Sequence, residues 1–313
     1  MGRLVSVALV TWNSALWLRR CLDCIARQTH RDFELIVVDN ASADDSVALI
    51  SGHAKRVIRN ETNRGFSAAV NQAIAVAGGE FVQLVNPDAF LEPEYIERLV
   101  AAFDKAGPAF AMATGKLLRT DGNEIDSMGI RMTRSGRHLD ITEEIADRES
   151  QIAEVFGVSG AAAMYRMTFL REAAVGGEIF DEDFFAYRED ADLAWRGRLF
   201  GFRAMVVPDA VAYHVRRVTP ERRSTLSPEI NMHSVKNRFV LRLKNEGAYL
   251  ALRNALFELP RDLLVIGAAL TIERTSMPAL GWLWRNRRRV LAKRREIQLR
   301  RRVPDRELAR WFE

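Results

Sequence analysis

Val5-Ser6-Val7-Ala8-Leu9-Val10, the segment from Ser14 to about Gln28, and Phe33-Glu34-Leu35-Ile36-Val37-Val38 together decide the fold. The first and third are short, almost unbroken apolar runs, the pattern of strands buried on both faces. The segment between them places Leu18, Cys21, Leu22 and Ile25 at helical spacing, so the order is β-α-β. Working outward, Asp44–Ile50 reads as a helix and Val57-Ile58 as a short strand. Phe66–Ala77 reads as a helix stopped by Gly78-Gly79, and Phe81–Val85 as the next strand. This alternation predicts an α/β protein with a Rossmann-like, mostly parallel sheet and helices on both faces.

Length and composition are compatible with that reading. A chain of 313 residues, 48% hydrophobic, can bury a large core, with room for an extension beyond one catalytic unit. Cys21 and Cys24 are the only cysteines, spaced C-x-x-C, with His30 the only other nearby ligand type. Their place in the apolar helical pattern favours packing over zinc or redox chemistry, and a reducing compartment. The first apolar run is too short for a membrane span and is soon followed by Arg19 and Arg20, so no signal peptide is expected. Residues 259–284 are markedly apolar, yet Arg261, Asp262, Glu273 and Arg274 cut them into runs shorter than a span, which leaves lying on a membrane open.

The net charge of +5 is uneven. Residues 285–313 carry twelve Lys/Arg against Glu296, Asp305, Glu307 and Glu313, a surplus of eight, and the rest of the chain is slightly acidic. A uniformly basic nucleic-acid binder is therefore disfavoured, while the tail alone could meet phosphate-rich lipid or nucleic acid, or simply face water.

Ligands of such sheets bind beyond the carboxyl ends of the strands, where this chain has Thr11-Trp12-Asn13, Asp39-Asn40, Asn60–Gly65 and Asn86-Pro87-Asp88. Neither G-x-G-x-x-G nor the P-loop pattern follows the first strand. Asp39 can accept a hydrogen bond from a ribose or a base, although a strand-end Asp is commonly a turn former. Asp88, on a turn stiffened by Pro87, could hold a divalent cation that neutralises a diphosphate leaving group, or belong to a plain surface turn. Glu189-Asp190-Ala191-Asp192 opens a predicted helix. Acidic residues suit that end, and one of them could also serve as a base beside the aromatic run Phe184-Phe185-Ala186-Tyr187. His214 has a metal role only if the fold brings it opposite Asp88. The stretch from about Gly115 to Glu154 reads as loops and a hairpin over the site. Residues from about Ser227 onward read as helical.

Taken in order, Val10-Thr11-Trp12-Asn13, Val37-Val38-Asp39-Asn40-Ala41-Ser42, Asn63-Arg64-Gly65-Phe66, Leu84-Val85-Asn86-Pro87-Asp88 and Phe184–Leu193 resemble a family 2 glycosyltransferase of GT-A fold, in particular its bacterial rhamnosyltransferase-like branch. The resemblance spans roughly residues 4–245. It implies that Thr11, Asn13, Asp39, Asn63, Gly65, Asn86 and Asp88 bind the nucleotide sugar. It implies further that Asp88 and His214 hold Mg2+ or Mn2+, and that the Glu189-Asp190 pair is catalytic, with Asp190 the general base. Asn86 stands where the family's D-x-D motif has its first Asp, which leaves the metal site one negative charge poorer.

The expected domains are a GT-A catalytic unit over 1–226, with a nucleotide-sugar half to about 115 and an acceptor half over 116–226, and a helical, basic extension over 227–313. The expected reaction is inverting transfer of rhamnose or a similar hexose from a dTDP- or UDP-linked donor to a hydroxyl of a glycan or polyprenyl-linked acceptor, in bacterial cell-surface polysaccharide synthesis. The enzyme is expected to be cytoplasmic, on the inner face of the cell membrane through its C-terminal segment, with no nucleic-acid partner. That apolar segment can pack against another copy as readily as against lipid. Two rivals are a nucleotidyltransferase that makes a nucleotide sugar and releases pyrophosphate, and a non-catalytic nucleotide-sugar-binding membrane scaffold.

Overall fold

The computed structural model describes residues 3–122, 124–145, 152–216 and 227–313. Its centre is β1 (Val5–Thr11), buried at every position, with α1 (Ala15–Ala26) returning the chain to β2 (Phe33–Asp39). Leu18, Cys21, Leu22, Cys24 and Ile25 form the buried face of that helix, so the two cysteines are packing residues. The chain continues through α2 (Ser46–Ile50), β3 (Arg56–Arg59), α3 (Phe66–Ala75), β4 (Phe81–Val85), β5 (Ala89–Leu91), α4 (Tyr95–Ala106) and β6 (Phe110–Arg119). Next come β7 (Ile125–Ser127), β8 (Ile130–Met132), β9 (His138–Asp140), β10 (Ala153–Val155), β11 (Ala163–Arg166) and α5 (Met167–Ala173). Then follow α6 (Glu189–Leu199), β12 (Arg203–His214), α7 (Pro228–Asn245), α8 (Ala248–Thr271), α9 (Pro278–Arg300) and α10 (Asp305–Leu308).

The sheet order is β10-β12-β6-β11-β4-β1-β2-β3. The block β4-β1-β2-β3 is parallel, as the alternating sequence predicts, and β12 is parallel to β6. The antiparallel β11 joins the two blocks by pairing with β4 on one side and β6 on the other. Gly115–Arg119 continue β6, where the sequence reading begins a loop. Polar residues at that end of the strand dilute its hydrophobic signal, and β7 and β12 flank it. The expected hairpin is present as β8-β9. Residues 146–151 of the expected loop region, and residues 217–226 at the end of the expected catalytic unit, lie outside the described residues.

Two apolar cores cover the two faces of the sheet. The C-terminal helices complete the first of them. Val240, Leu241, Ile297 and Leu308 are buried there, and Phe312 sits against Trp195 of α6 with ring centroids 4.9 Å apart. The basic tail is correspondingly less free than its charge suggests. Lys293 bonds Glu178, Asp181 and Asp183, Arg289 bonds Asp183, and Arg300 reaches the carbonyls of Glu172 and Ala174. Among the described residues, no helix is long and apolar enough to cross a membrane.

Candidate active site

The strand ends meet as the parallel register requires: Thr11 is level with Asp39, and Asp39 with Arg59. The backbone N–H of Asn40 donates to the Thr11 carbonyl and that of Asn60 to the Asp39 carbonyl, which carries the edge one residue beyond the strands. Thr11 Oγ1 and Asp39 Oδ1 are both buried there without a hydrogen-bond partner. Two adjacent orphaned groups are costly unless a ligand satisfies them. Asp39 Oδ2 accepts from the Ser42 N–H at 3.2 Å, and Asn13 Oδ1 accepts from the Ala43 N–H at 2.8 Å, so these side chains also shape the turn after β2.

Asn40 organises the neighbouring loop. Its amide donates to Asn63 Oδ1 at 2.8 Å and to the Gly65 carbonyl at 3.2 Å, while its Oδ1 accepts from Asn60 and from the Arg64 N–H. Gly65 has φ of 84°, and a Cβ there would lie 2.6 Å from the Phe185 ring. Only glycine allows this loop to lie against the segment that leads into the acidic pair.

Two adjoining cavities open above these strand ends. The smaller, about 280 Å³, is lined by Trp12, Asn40, Asn63, Gly65, Pro87, Phe185 and His233 among others. The larger, about 490 Å³, is lined by Asp126, His138, Asp140, Gly160, Arg188, Glu189, Asp190, His214 and Arg216 among others. Phe66, Asn86, Asp88, Ala186, Tyr187 and Ile230 border both, so Asp88 stands at the junction. Asn63, Gly65, Asn86, Asp88, Glu189, Asp190 and His214 thus come together, whereas Thr11, Asn13 and Asp39 lie outside the lining.

The position of His214 follows from topology. β5 pairs antiparallel with the end of β12 and sets His214 level with Ala89, next to Asp88. Its Nε2 lies 3.6 Å from Asp88 Oδ1, and its Nδ1 lies 2.8 Å from Asp126 Oδ2. Burial disfavours the charged imidazole, but Asp126 and Asp88 outweigh it and raise its pKa to about 9. A carboxylate on one ring nitrogen with the other turned toward a second carboxylate is the donor arrangement of a metal-ligating histidine. The described residues contain no cluster of three or more such ligands. Asp88 and His214 therefore suit a cation that completes its shell with water and phosphate oxygens, as Mg2+ and Mn2+ do.

Asp190 is partly exposed to the larger cavity. Its Oδ2 accepts from the Gly160 N–H at 3.1 Å and its Oδ1 from the Ala191 N–H at 2.7 Å. Burial raises its pKa to about 6 in spite of these two donors, and the charge of Asp140 adds to the rise. Glu189 is buried, with Oε2 unpartnered, and burial followed by the charge of Asp190 lifts it to about 8. Burial and neighbouring carboxylates thus raise both carboxyls, Glu189 the further, which favours a proton on the buried Glu189 and leaves the cavity-facing Asp190 the better placed to accept one. Asp192, the third carboxylate of the run, is fully buried against Arg196, Lys244 and Asn245 and is structural.

All five non-glycine residues with positive φ among those described, Asn13, Ala41, Phe185, Tyr187 and Arg188, flank this site. Backbone held in that region is strained and has to be held by its surroundings. Around Phe185 and Tyr187, Asn237 of α7 does so: its buried amide shares its hydrogens among the carbonyls of Phe184, Ala186 and Tyr187 at 2.9, 2.8 and 2.8 Å. Sequence reasoning missed Asn237 and Asp126, and it quoted Trp12 at the end of the first strand without giving it a role. The first two act on partners 50 or more residues away. Trp12 lies next to Thr11, and its 53% exposure at the cavity mouth is the signal that only coordinates carry.

A Rossmann-like sheet whose strand ends open on an acidic and histidine corner, beside a half-buried carboxylate, is the architecture of a GT-A glycosyltransferase. The family model described as glycosyl transferase family 2 matches residues 6–173, and the chain belongs to that family. It is similar to the putative glycosyltransferase EpsH of Bacillus subtilis, 34% identical over 101 residues, which are 31% of this chain and 29% of that protein. It is also similar to chondroitin synthase of Escherichia coli, 27% identical over 129 residues, 40% of this chain and 19% of that one. The chain thus spans about a third or less of the length of these relatives. Among solved structures, residues 1–349 of TarS from S. aureus align with a TM-score of 0.59 at 22% identity, covering 90% of this chain and 78% of that one. The mannosyltransferase PcManGT from Pyrobaculum calidifontis, in complex with GDP-Man and Mn2+, aligns with a TM-score of 0.55 at 21% identity, covering 96% and 84%. These likenesses confirm the fold.

Proposed function

We propose that this glycosyltransferase moves a hexose from a nucleoside-diphosphate donor to an acceptor hydroxyl with inversion, using Asp190 as general base. One observation carries the reading: Asp88 borders both cavities, and Asp190 lines the larger of them. The smaller cavity takes the donor, with Trp12 offering an aromatic face to the base, and the orphaned Thr11 and Asp39 oxygens belong to chain neighbours of its lining residues Val10, Trp12 and Asn40. The larger takes the acceptor. Asp190 removes the proton of the attacking hydroxyl, and that oxygen displaces the nucleoside diphosphate from the opposite face of the anomeric carbon. Asp88 and His214 would hold the divalent cation, which when bound neutralises charge on the leaving diphosphate. Residues 1–226 form the catalytic unit in this reading, a donor half and an acceptor half, and the extension over 227–313 adds Ile230 and His233 of α7 to the cavity walls.

A dTDP- or UDP-linked hexose, rhamnose first, is the donor we propose. A glycan or lipid-linked sugar of a bacterial surface polysaccharide is the acceptor, at the inner face of the cell membrane. The decisive experiment incubates the purified chain with a panel of nucleotide sugars and Mg2+ or Mn2+ and identifies the small product. Release of nucleoside diphosphate with sugar transfer is expected; pyrophosphate release from a nucleoside triphosphate, or donor binding without turnover, overturns the reading. Chelation and Asp88→Ala are each expected to abolish transfer, and full activity after chelation would remove the cation from the proposal.

A further inference from the structure

Helix α8 is built inside out. Its inward face carries Asn254, Glu258 and Asp262, and Asp262 pairs with Arg238 and Arg242 of α7 while Glu258 also pairs with Arg242. Its outward face carries Leu252, Leu256, Leu259, Leu263 and Leu270, each between 50% and 85% exposed. Their spacing of four, three, four and seven residues keeps them on one stripe, about 27 Å long at 1.5 Å per residue. In water the usual amphipathic helix does the reverse, and a contiguous apolar face of this kind marks a surface that is covered by something.

The flanking charge selects what covers it. No Asp or Glu occurs from Arg274 to Arg295. Arg274, Arg285, Arg287 and Arg288 are exposed there, and so is Trp284, with the Arg287 guanidinium 4.2 Å from its ring centre. A leucine face followed by arginines and an interfacial tryptophan suits acyl chains beneath anionic headgroups. Pairing with a second copy through the same face would add an uncompensated basic fringe from each chain.

The face also has a fixed relation to the active site. The turn of the β8-β9 hairpin rests on α8: Arg134 lies over the Phe257 ring at 4.1 Å and donates to the Arg253 carbonyl at 3.1 Å. The next strand of that hairpin carries His138 and Asp140, which line the larger cavity. We infer that the leucine face of α8 is a docking surface for an anionic lipid bilayer, and that it holds the acceptor cavity beside the membrane so that a lipid-linked acceptor reaches Asp190. The docking stands on the surface alone, whereas the acceptor clause rests on the glycosyl-transfer reading.

The test is flotation of the full chain with vesicles of phosphatidylcholine alone or mixed with phosphatidylglycerol, at low and high salt. The wild type is expected to float with the anionic vesicles and to weaken in salt. Leu256→Glu with Leu263→Glu is expected to lower the partition by about tenfold or more per leucine. Both positions are already exposed, so the variant keeps its fold and its transfer to a water-soluble acceptor, while transfer to a vesicle-embedded acceptor falls. Failure of the wild type to float overturns the inference. So does a wild-type dimer in sedimentation that the same substitutions convert to monomer. Flotation without any transfer would leave the docking intact and sink the reaction instead.

Discussion

Glu189 and Asp190 are chemically alike and adjacent, yet their surroundings separate their pKa values. Burial lifts the Glu189 carboxyl to about 8 and the cavity-facing Asp190 less far, to about 6. The general base works only when deprotonated, so kcat/KM is expected to fall about tenfold per unit as pH drops below about 6 and to level off above it. Asp190→Asn should lower kcat by about 10²–10⁴-fold with donor affinity retained in calorimetry. Glu189→Gln reproduces the neutral acid and should keep most activity at pH 7. An inactive Glu189→Gln beside an active Asp190→Asn would reverse the assignment.

The segment Phe184–Arg188 is held by an element that follows it in sequence by some fifty residues. Replacing Asn237 of α7 by Asp would turn a carboxylate toward three carbonyl oxygens that now accept hydrogen bonds. A shift of about 1 Å in the catalytic segment can cost about 10²-fold, so Asn237→Asp is expected to reduce kcat by that order and, because Phe185, Ala186 and Tyr187 also line the smaller cavity, to weaken donor binding in calorimetry as well. Helix α9 ties down the preceding acidic loop. Lys293, 8% exposed, lies 2.7 Å from Asp181, which is itself 4% exposed. Lys244 still pairs with Asp181 when Lys293 is removed, so Lys293→Met is expected to cost only the charged hydrogen bonds it makes, about 1.5–3 kcal/mol, read as a lower melting temperature. Burial opposes the Asp181 charge, but Lys244 and Lys293 outweigh it and hold the carboxyl well below the usual range. Its contribution is therefore complete above the ordinary carboxylate pKa and is lost as pH falls below it toward the folded value. Lys293→Met should accordingly be less sensitive to acid than the wild type.

The extension and the catalytic unit share a core. Phe312 packs with Trp195 and Phe156, Lys244 bonds the buried Asp181 and Asp192, and Asn237 holds the strained segment. A chain cut after residue 226 is therefore expected to lose cooperative thermal unfolding and to aggregate, rather than yield an active unit without its tail. Much of this molecule was legible in one dimension. Unbroken apolar runs, helical spacing and glycine stops determined the parallel block β4-β1-β2-β3, because burial and hydrogen bonding act there between neighbours in the chain. Polar residues directly after those runs pointed to the edge where Asn63, Asn86 and Asp88 meet, since parallel strands end on one side together. The third dimension decided what depends on distant partners. The antiparallel β11 between two parallel blocks, Asp126 behind His214, and Asn237 under Phe184–Tyr187 leave no periodic signal in the sequence. The tail shows the limit most clearly. Its leucines and arginines could be counted, but which faced the core was set by distant partners: buried acids of α6 and of the loop between α5 and α6 draw Lys244 and Lys293 inward, and Arg238 and Arg242 of α7 draw in Glu258 and Asp262 of α8, which leaves the leucines of α8 outside.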